Sequence, residues 1–312
     1  MDFVDIIASF LLFTIGIIGV FLNTLIVYIF IYEKSHQTAF NLICTARAAN
    51  NAIVLTTTFL LIFFVVATLP SSPYPQWFEF LCISFGISLY LVNEYTSIII
   101  ALNRFIALFA PTFYSKYCGI KITAFLLLLL YIYRLFETVS ELSSYIPRKC
   151  YTIFGKEKLS YKLIYADTPC VNTDDNYSEF TNIIYLILFL FVSVLFLNIA
   201  TFIRIAIFIF NRKSMDQNSK NRMKKNAILF FQTIIQDALV LIDMFFTFKL
   251  GYPNKPKIWS FIHTILVWEL IHTMDGLIMI LFNERISVIK NRLFSQPTVI
   301  VQPTSKSDFS QK

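Results

Sequence analysis

A bundle of seven membrane-spanning helices is the fold class this sequence predicts, and three observations predict it. Seven long apolar runs recur between short polar loops: about Ile6–Ile31, Phe40–Val66, Phe80–Phe109, Thr123–Ile146, Phe180–Phe210, Asn226–Leu250 and Ile258–Phe282. About 20 apolar residues cross a bilayer core as a helix. Within the runs the apolar residues are continuous, as at Leu126–Ile132 and Ile183–Val192, whereas barrel strands alternate over about ten residues. Finally, the 312 residues are 57% hydrophobic, 17% aromatic and only 14% charged, far from a soluble average. Lipid offers no partner to a backbone N–H, so each run must satisfy its own backbone as a helix. These features narrow function to signalling, transport, conduction or intramembrane catalysis.

The order of elements and their orientation follow from the loops. Lys34 follows the first run, Lys116 and Lys121 follow the third, and Arg212, Lys213, Lys220, Arg222, Lys224 and Lys225 crowd the connection between the fifth and sixth. Arg285, Lys290 and Arg292 follow the last. Basic loops stay cytoplasmic, so these are expected inside. Met1–Asp5 carries Asp2 and Asp5 without Lys or Arg and is expected outside. The long loop of about Pro147–Glu179 is placed outside as well, its basic residues diluted by Asp167, Asp174, Asp175 and Glu179. The net charge of +7 is thus topology and needs no nucleic acid. The first run lacks a basic n-region and exceeds a typical signal h-region, so it reads as a retained helix. A single membrane-spanning unit is expected over residues 1–294. A disordered cytoplasmic tail over 295–312, with Ser305, Ser307 and Ser310, is expected after it.

The cysteines divide by this topology. Cys82, Cys150 and Cys170 fall outside, and Cys44 and Cys118 fall at or near the inner face. Extracellular thiols favour disulfides. A bond from Cys82 to Cys150 or Cys170 would pin the long loop over the bundle. Asn176-Tyr177-Ser178 in that loop is a glycosylation sequon. All ten prolines lie outside the apolar runs, so bends are expected from Gly, Ser/Thr or inserted water.

Charges and amides inside the membrane need a reason, since an ionised side chain at mid-bilayer costs about 2.5–3.5 kcal/mol on insertion scales. The third run carries Asn93 and Glu94 near its middle and Asn103-Arg104-Phe105 at its inner end. The fourth carries Arg134 and Glu137, spaced to neutralise each other, and then Glu141. The sixth carries Gln232, Gln236 and Asp243 on one stripe with Asp237 beside it, and the seventh carries Glu269, His272 and Asp275. Such stripes face the bundle interior and bond across helices. Arg104 taken by itself reads equally well as a snorkelling interfacial anchor. Glu269-x-x-His272 has half of a di-iron spacing, but only His36, His263 and His272 exist and no second copy appears. No metal, no cofactor and no enzymatic activity are expected. There is no Walker loop, no Gly-x-Ser-x-Gly and no His-Glu-x-x-His, and only seven glycines.

Several phrases carry a resemblance. Gly19 with Asn23-Thr24-Leu25-Ile26-Val27, Asn50 after Ala48-Ala49, Asn103-Arg104-Phe105, and Asp275-Gly276-Leu277-Ile278-Met279 are similar to marks of rhodopsin-like G-protein-coupled receptors. Asn replaces the usual Asp in the third-helix motif. Asn50 and Asp275 exchange the usual Asp and Asn. The sixth run lacks Cys-Trp-x-Pro, and Cys82 lies closer to Arg104 than that class usually places it. Thr45-Ala46-Arg47-Ala48-Ala49-Asn50, Leu102-Asn103-Arg104-Phe105, Phe230-Phe231-Gln232 with Gln236-Asp237, and His272 with Asp275-Gly276 together resemble the nematode serpentine receptor class X chemoreceptors, along nearly the whole chain.

The resemblance implies a short amphipathic eighth helix over about 284–294, opened by Phe282-Asn283-Glu284-Arg285, and a chemosensory receptor in the plasma membrane of sensory neurons. Its partners would be an extracellular small molecule or peptide, a heterotrimeric G protein and membrane lipids. Asn23, Asn50, Asn103, Arg104, Phe105 and Asp275 would form the signalling switch. Asn93, Glu94, Gln232, Gln236, Asp237, Glu269 and His272 would form an interior polar network, and Arg212, Lys213, Lys224, Lys225 and Arg285 would meet the G protein. The alternative is a carrier or channel lined by Glu94, Arg134, Asp237, Asp243, Glu269 and Asp275, although no repeat of halves appears. An intramembrane enzyme pairing Asp237 with Asp275 is a third reading.

Overall fold

A computed structural model describes residues 2–33, 37–164, 173–210, 217–249 and 256–282. Seven of the described helices are long and apolar enough to cross a membrane. They are Phe3–Tyr32, Ala39–Thr68, Gln76–Phe109, Ile120–Tyr145, Thr173–Phe210, Gln217–Lys249 and Lys257–Leu281, here the first to seventh helices. The sixth begins well before Asn226, so Lys220, Arg222, Lys224 and Lys225 lie on helical backbone rather than in a loop. The fifth begins at Thr173, which puts Asn176 of the sequon on helical backbone too. The expected eighth helix, the tail, Arg212, Lys213 and Arg285 lie outside the described residues.

Local chemistry sets several boundaries. Thr38 caps the second helix, its hydroxyl accepting the Asn41 N–H at 3.2 Å. Pro75 leads into the third helix, and Pro111 ends it, because a residue before proline leaves the helical region. The same Pro111 opens a short connecting helix, Pro111–Tyr117, where its missing N–H is no loss.

Two spanning helices depart locally from regular α-winding. Leu55–Phe64 of the second helix and Ile262–Leu266 of the seventh are wound as wider π-helix. The hydroxyls of Thr56 and Thr57 donate to the carbonyls of Ala52 and Ile53, both at 2.8 Å, and Thr264 donates to Ser260 at 2.6 Å. Such bonds to the carbonyl one turn back compete with the backbone ladder, which favours a locally widened turn.

Burial ranks the helices. In its apolar window the seventh helix is 61% buried and the fourth only 17%, so the seventh is central and the fourth peripheral. Leu128, Ile132, Leu135 and Phe136 of the fourth are exposed, a face suited to lipid and unsuited to water. The apolar core has two parts. One holds Leu12, Leu55, Phe59, Phe63, Ile83, Phe261 and Trp268; the other holds Ile26, Phe40, Ile43, Ala48, Ile100 and Met279. Buried polar residues sit along the chain between them, such as Arg47, Asn50 and Asn51.

The long loop contains an antiparallel hairpin where no strand was expected. β1 (Tyr151–Gly155) pairs with β2 (Ser160–Ile164), Tyr151 opposite Ile164 and Gly155 opposite Ser160. Leu159 completes the turn at φ 50° and is fully buried. Cys150, just before β1, is disulfide-bonded. The expected bond from Cys82 is not made. Cys82 is a free thiol buried in the apolar cluster beside Ile83. The hairpin reaches the third helix about one turn away instead, where Glu79 receives the Phe154 N–H and the rings of Phe80 and Tyr151 lie 5.8 Å apart.

The first and seventh helices touch through glycines. A Cβ on Gly276 would fall 2.7–2.9 Å from three atoms of the Asn23 amide. That amide cannot swing away cheaply, because its nitrogen donates to the carbonyls of Gly19 at 2.9 Å and His272 at 3.1 Å. Gly276→Ala is therefore expected to destabilise the protein by about 1–3 kcal/mol, lowering the thermal midpoint in detergent. Gly119→Ala, with nothing within 4 Å of the added methyl, should leave it unchanged.

Candidate functional site

The carboxylate of Asp275 is the hub of the buried polar layer. Its Oδ2 accepts from Arg47 Nε and from Asn51 Nδ2, both at 2.7 Å, and its Oδ1 accepts from Gln236 Nε2 at 2.6 Å. The second, sixth and seventh helices thus meet on one side chain. Arg47 and Asp275 are both almost wholly buried, and the Arg47 guanidinium also donates to Ser97 of the third helix at 2.8 Å. Helical spacing explains the arrangement: Arg47 and Asn51 are four apart and share one face of the second helix.

From this hub the bonds spread. Asn51 Oδ1 accepts from Asn93 at 2.7 Å and lies 2.7 Å from His272 Nδ1. Asn50 donates to Asn93 at 2.9 Å and accepts from the Tyr131 hydroxyl of the fourth helix at 2.7 Å. Asn23 joins from the first helix through its bond to the His272 carbonyl. A separate bond of 2.7 Å from Asn198 to Asp237 ties the fifth helix to the sixth. Tyr90 of the third donates to Asp243 of the sixth at 2.8 Å.

The structure brings together most of the residues the sequence singled out, with changes of partner. Asn23, Asn50, Asn93, Gln236, His272 and Asp275 fall in the layer. Asn50 and Asp275, expected as a matched pair, are not bonded to each other; Arg47 and Asn51 make the link instead. Among the described residues, Gln232 reaches the Cys44 sulfur, at 4.0 Å. Glu269 stands apart, fully buried against Gly16. Glu94 makes no hydrogen bond among the described residues. With Ser97 and Asp237 it lines a cavity of about 10 Å³, near the size of one water. Arg134 pairs with Glu137 within the fourth helix. Among the described residues no cluster suited to a metal ion occurs.

Sequence reasoning missed the roles of Arg47, Asn51, Ser97 and Tyr131. The signal for Arg47 was available: an arginine within an apolar run must find a carboxylate or the interface, and it lies too deep for the second.

At the other end of the third helix, Arg104 is buried. Its guanidinium donates to the Thr233 hydroxyl on the sixth helix and lies 4.7 Å from the ring centre of Phe40. Among the described residues its Nε and second terminal nitrogen find no hydrogen-bond partner. Asn103 does not engage Arg104 but accepts from Tyr114 of the connecting helix at 3.3 Å. Burial, first, holds the Tyr114 phenol above its ordinary value, so it stays a donor. Phe105 stacks on Phe109 at 4.3 Å. A cavity of about 60 Å³ opens here, lined by Arg104, Asn103, Tyr114, Phe40 and Thr201.

Removing one member of a buried ion pair strands the other, at a cost of about 3–5 kcal/mol. Arg47→Met is expected to lower stability by that order in thermal or denaturant unfolding. Arg47→Met with Asp275→Asn should cost clearly less than the sum of the two single changes, because neither charge is then left alone.

A family model described as "Serpentine type 7TM GPCR chemoreceptor Srx" matches residues 13–283, from the first helix to the end of the seventh. The chain is 26% identical to "Serpentine receptor class X 45" of Caenorhabditis elegans over 333 aligned positions, covering 98% of this chain and 88% of that protein.

Proposed function

This chain belongs to the Srx family of serpentine seven-helix chemoreceptors, and on that premise we propose that it is a ligand-gated switch acting on a heterotrimeric G protein. Membership makes it an integral, multi-pass membrane protein with a chemosensory, receptor-type role. In this reading the hairpin end faces the medium around a sensory neuron, and the Arg104 end faces the cytoplasm.

The observation that carries the reading is the clasp of Arg104 on Thr233. It joins the third and sixth helices beside a small cavity. Moving the sixth helix outward breaks the clasp, frees the guanidinium and enlarges the cavity for a partner. Gln236, bonded to Asp275, lies three residues from Thr233 on the same helix. Displacement of the polar layer and release of the clasp therefore involve one helix face. The ligand must bind one arrangement better than the other, since only differential affinity shifts a population. The basic residues Arg212, Lys213, Lys224, Lys225 and Arg285 are read from the sequence as charge offered to the G protein; anionic lipid headgroups are attracted by the same charge.

The carrier reading has less support. Asp237, Asp243 and Asp275 each accept a bond from another helix, and Arg134 pairs with Glu137. These groups are taken up in holding the bundle together.

A clasp on a neutral hydroxyl holds more weakly than an ion pair. Appreciable ligand-free signalling is therefore expected. Thr233→Val should raise ligand-free nucleotide exchange on the G protein by about tenfold, given about 1.5 kcal/mol for a hydrogen bond to a charged group. Asn103→Asp, which offers Arg104 a carboxylate, should lower it. Equal rates for the three proteins in reconstituted membranes would defeat the switch, and solute flux in liposomes without a G protein would favour the carrier.

A further inference from the structure

The hairpin does more than cover the bundle. Phe154 is almost fully buried and stacks on Phe63 of the second helix, ring centres 4.9 Å apart. Tyr161 meets Phe63 edge-on at 5.8 Å and Trp268 of the seventh helix at 6.3 Å. Trp268 in turn lies 4.9 Å from Phe59 and 6.3 Å from Tyr90. Rings from the second, third and seventh helices thus make a box, and two rings from the hairpin fill it.

The box has polar features at Asp243 and at His272, whose ring lies 5.7 Å from Trp268 and 6.0 Å from Tyr90. Tyr90 donates to Asp243 at 2.8 Å, and that carboxylate also acts on the phenol of Tyr161. Burial, and after it Asp243, push the Tyr161 phenol well above its ordinary value. The hairpin therefore brings a phenol that keeps its proton into an aromatic enclosure whose carboxylate, Asp243, already accepts from Tyr90. It does so under strain: Leu159, fully buried in the hairpin turn, holds a left-handed backbone at φ 50°, which a leucine rarely adopts.

On the reading that the chain is gated by a ligand at its hairpin end, we propose that this box is the ligand site. Tyr161 and Phe154 occupy it as a tethered stand-in, and the ligand is a small aromatic molecule bearing one hydrogen-bond donor, of the phenol class. Ring walls select an aromatic guest, since offset and edge-on pairs add to simple burial. Asp243 selects a donor and disfavours an anion. Size is limited to what two hairpin rings vacate. The ligand competes with rings held at millimolar effective concentration by their short tether, so lifting the hairpin and binding the ligand are one exchange.

The test uses the full chain in lipid nanodiscs with 4-methylphenol, which is the tyrosine side chain as a free molecule, and toluene, which lacks the hydroxyl. Tyr161→Ala should unfold at a lower temperature than wild type. Saturating 4-methylphenol should then raise its midpoint by about 3 °C, toluene should raise it by less than half as much, and wild type should need at least about tenfold more 4-methylphenol for the same shift. Equal shifts with both probes, or none with either, would overturn the site. If Tyr161→Ala does not fold, hydrogen exchange on wild type decides. Saturating 4-methylphenol should speed exchange of the amides in Tyr151–Gly155 and Ser160–Ile164, and unchanged exchange would overturn the proposal. Binding of 4-methylphenol without any effect on nucleotide exchange would leave the site standing and count against the gating reading. Nucleotide exchange driven by another compound, with no 4-methylphenol binding, would do the reverse.

Discussion

A polar side chain placed among lipid-spanning helices must find its partner inside the bundle, and in this protein Asp275 is where that constraint is met. Three donors from two other helices converge on its carboxylate. Arg47 could not be buried without it, and Asn51 and Gln236 would lose their acceptor. The apolar clusters on either side supply packing without direction, since lipid tails are as apolar as leucine. The direction comes from the polar layer: it fixes which face of each helix turns inward and how far each is rotated.

The same layer limits motion. The first, second and seventh helices are joined by the Arg47–Asp275 pair, the Asn23 bond and close glycine contacts. The sixth is tied, among the described residues, by separate single bonds such as Gln236 to Asp275, Thr233 to Arg104, Asn198 to Asp237 and Tyr90 to Asp243. A bundle bonded in this way has a stiff side and a looser side. The looser side borders the cavity at Arg104.

The sequence told most about what is long and apolar, and least about what is paired. All seven spanning helices were legible because hydrophobic length is a one-dimensional property. The presence of intramembrane polar residues was legible for the same reason. Their partners were not, because pairing depends on helix rotation and order around the bundle. Asn50 was matched with Asp275 by resemblance, yet one residue along the helix, Asn51, faces the carboxylate. The Cys82 bond failed similarly: Cys82 shares the apolar cluster with Phe154 and Leu159 of the hairpin as a free thiol, and the disulfide of Cys150 does not involve it. The hairpin was in principle readable: Tyr151-Thr152-Ile153-Phe154 and Tyr161-Lys162-Leu163-Ile164 are strand-like runs either side of a charged turn. In a chain this rich in helix, the segment was taken only as a connection.

The π-wound stretch of the second helix has a consequence for how kindred sequences line up. Widening a turn accommodates an extra residue without moving either end of a helix. A relative with one residue fewer between Ala52 and Val65 can keep Asn51 on its carboxylate and Phe63 against its ring by winding that stretch as ordinary α-helix. A single-position gap at this point would thus mark a change of winding rather than a loss of function. Substitutions on its two sides should be compared in separate registers.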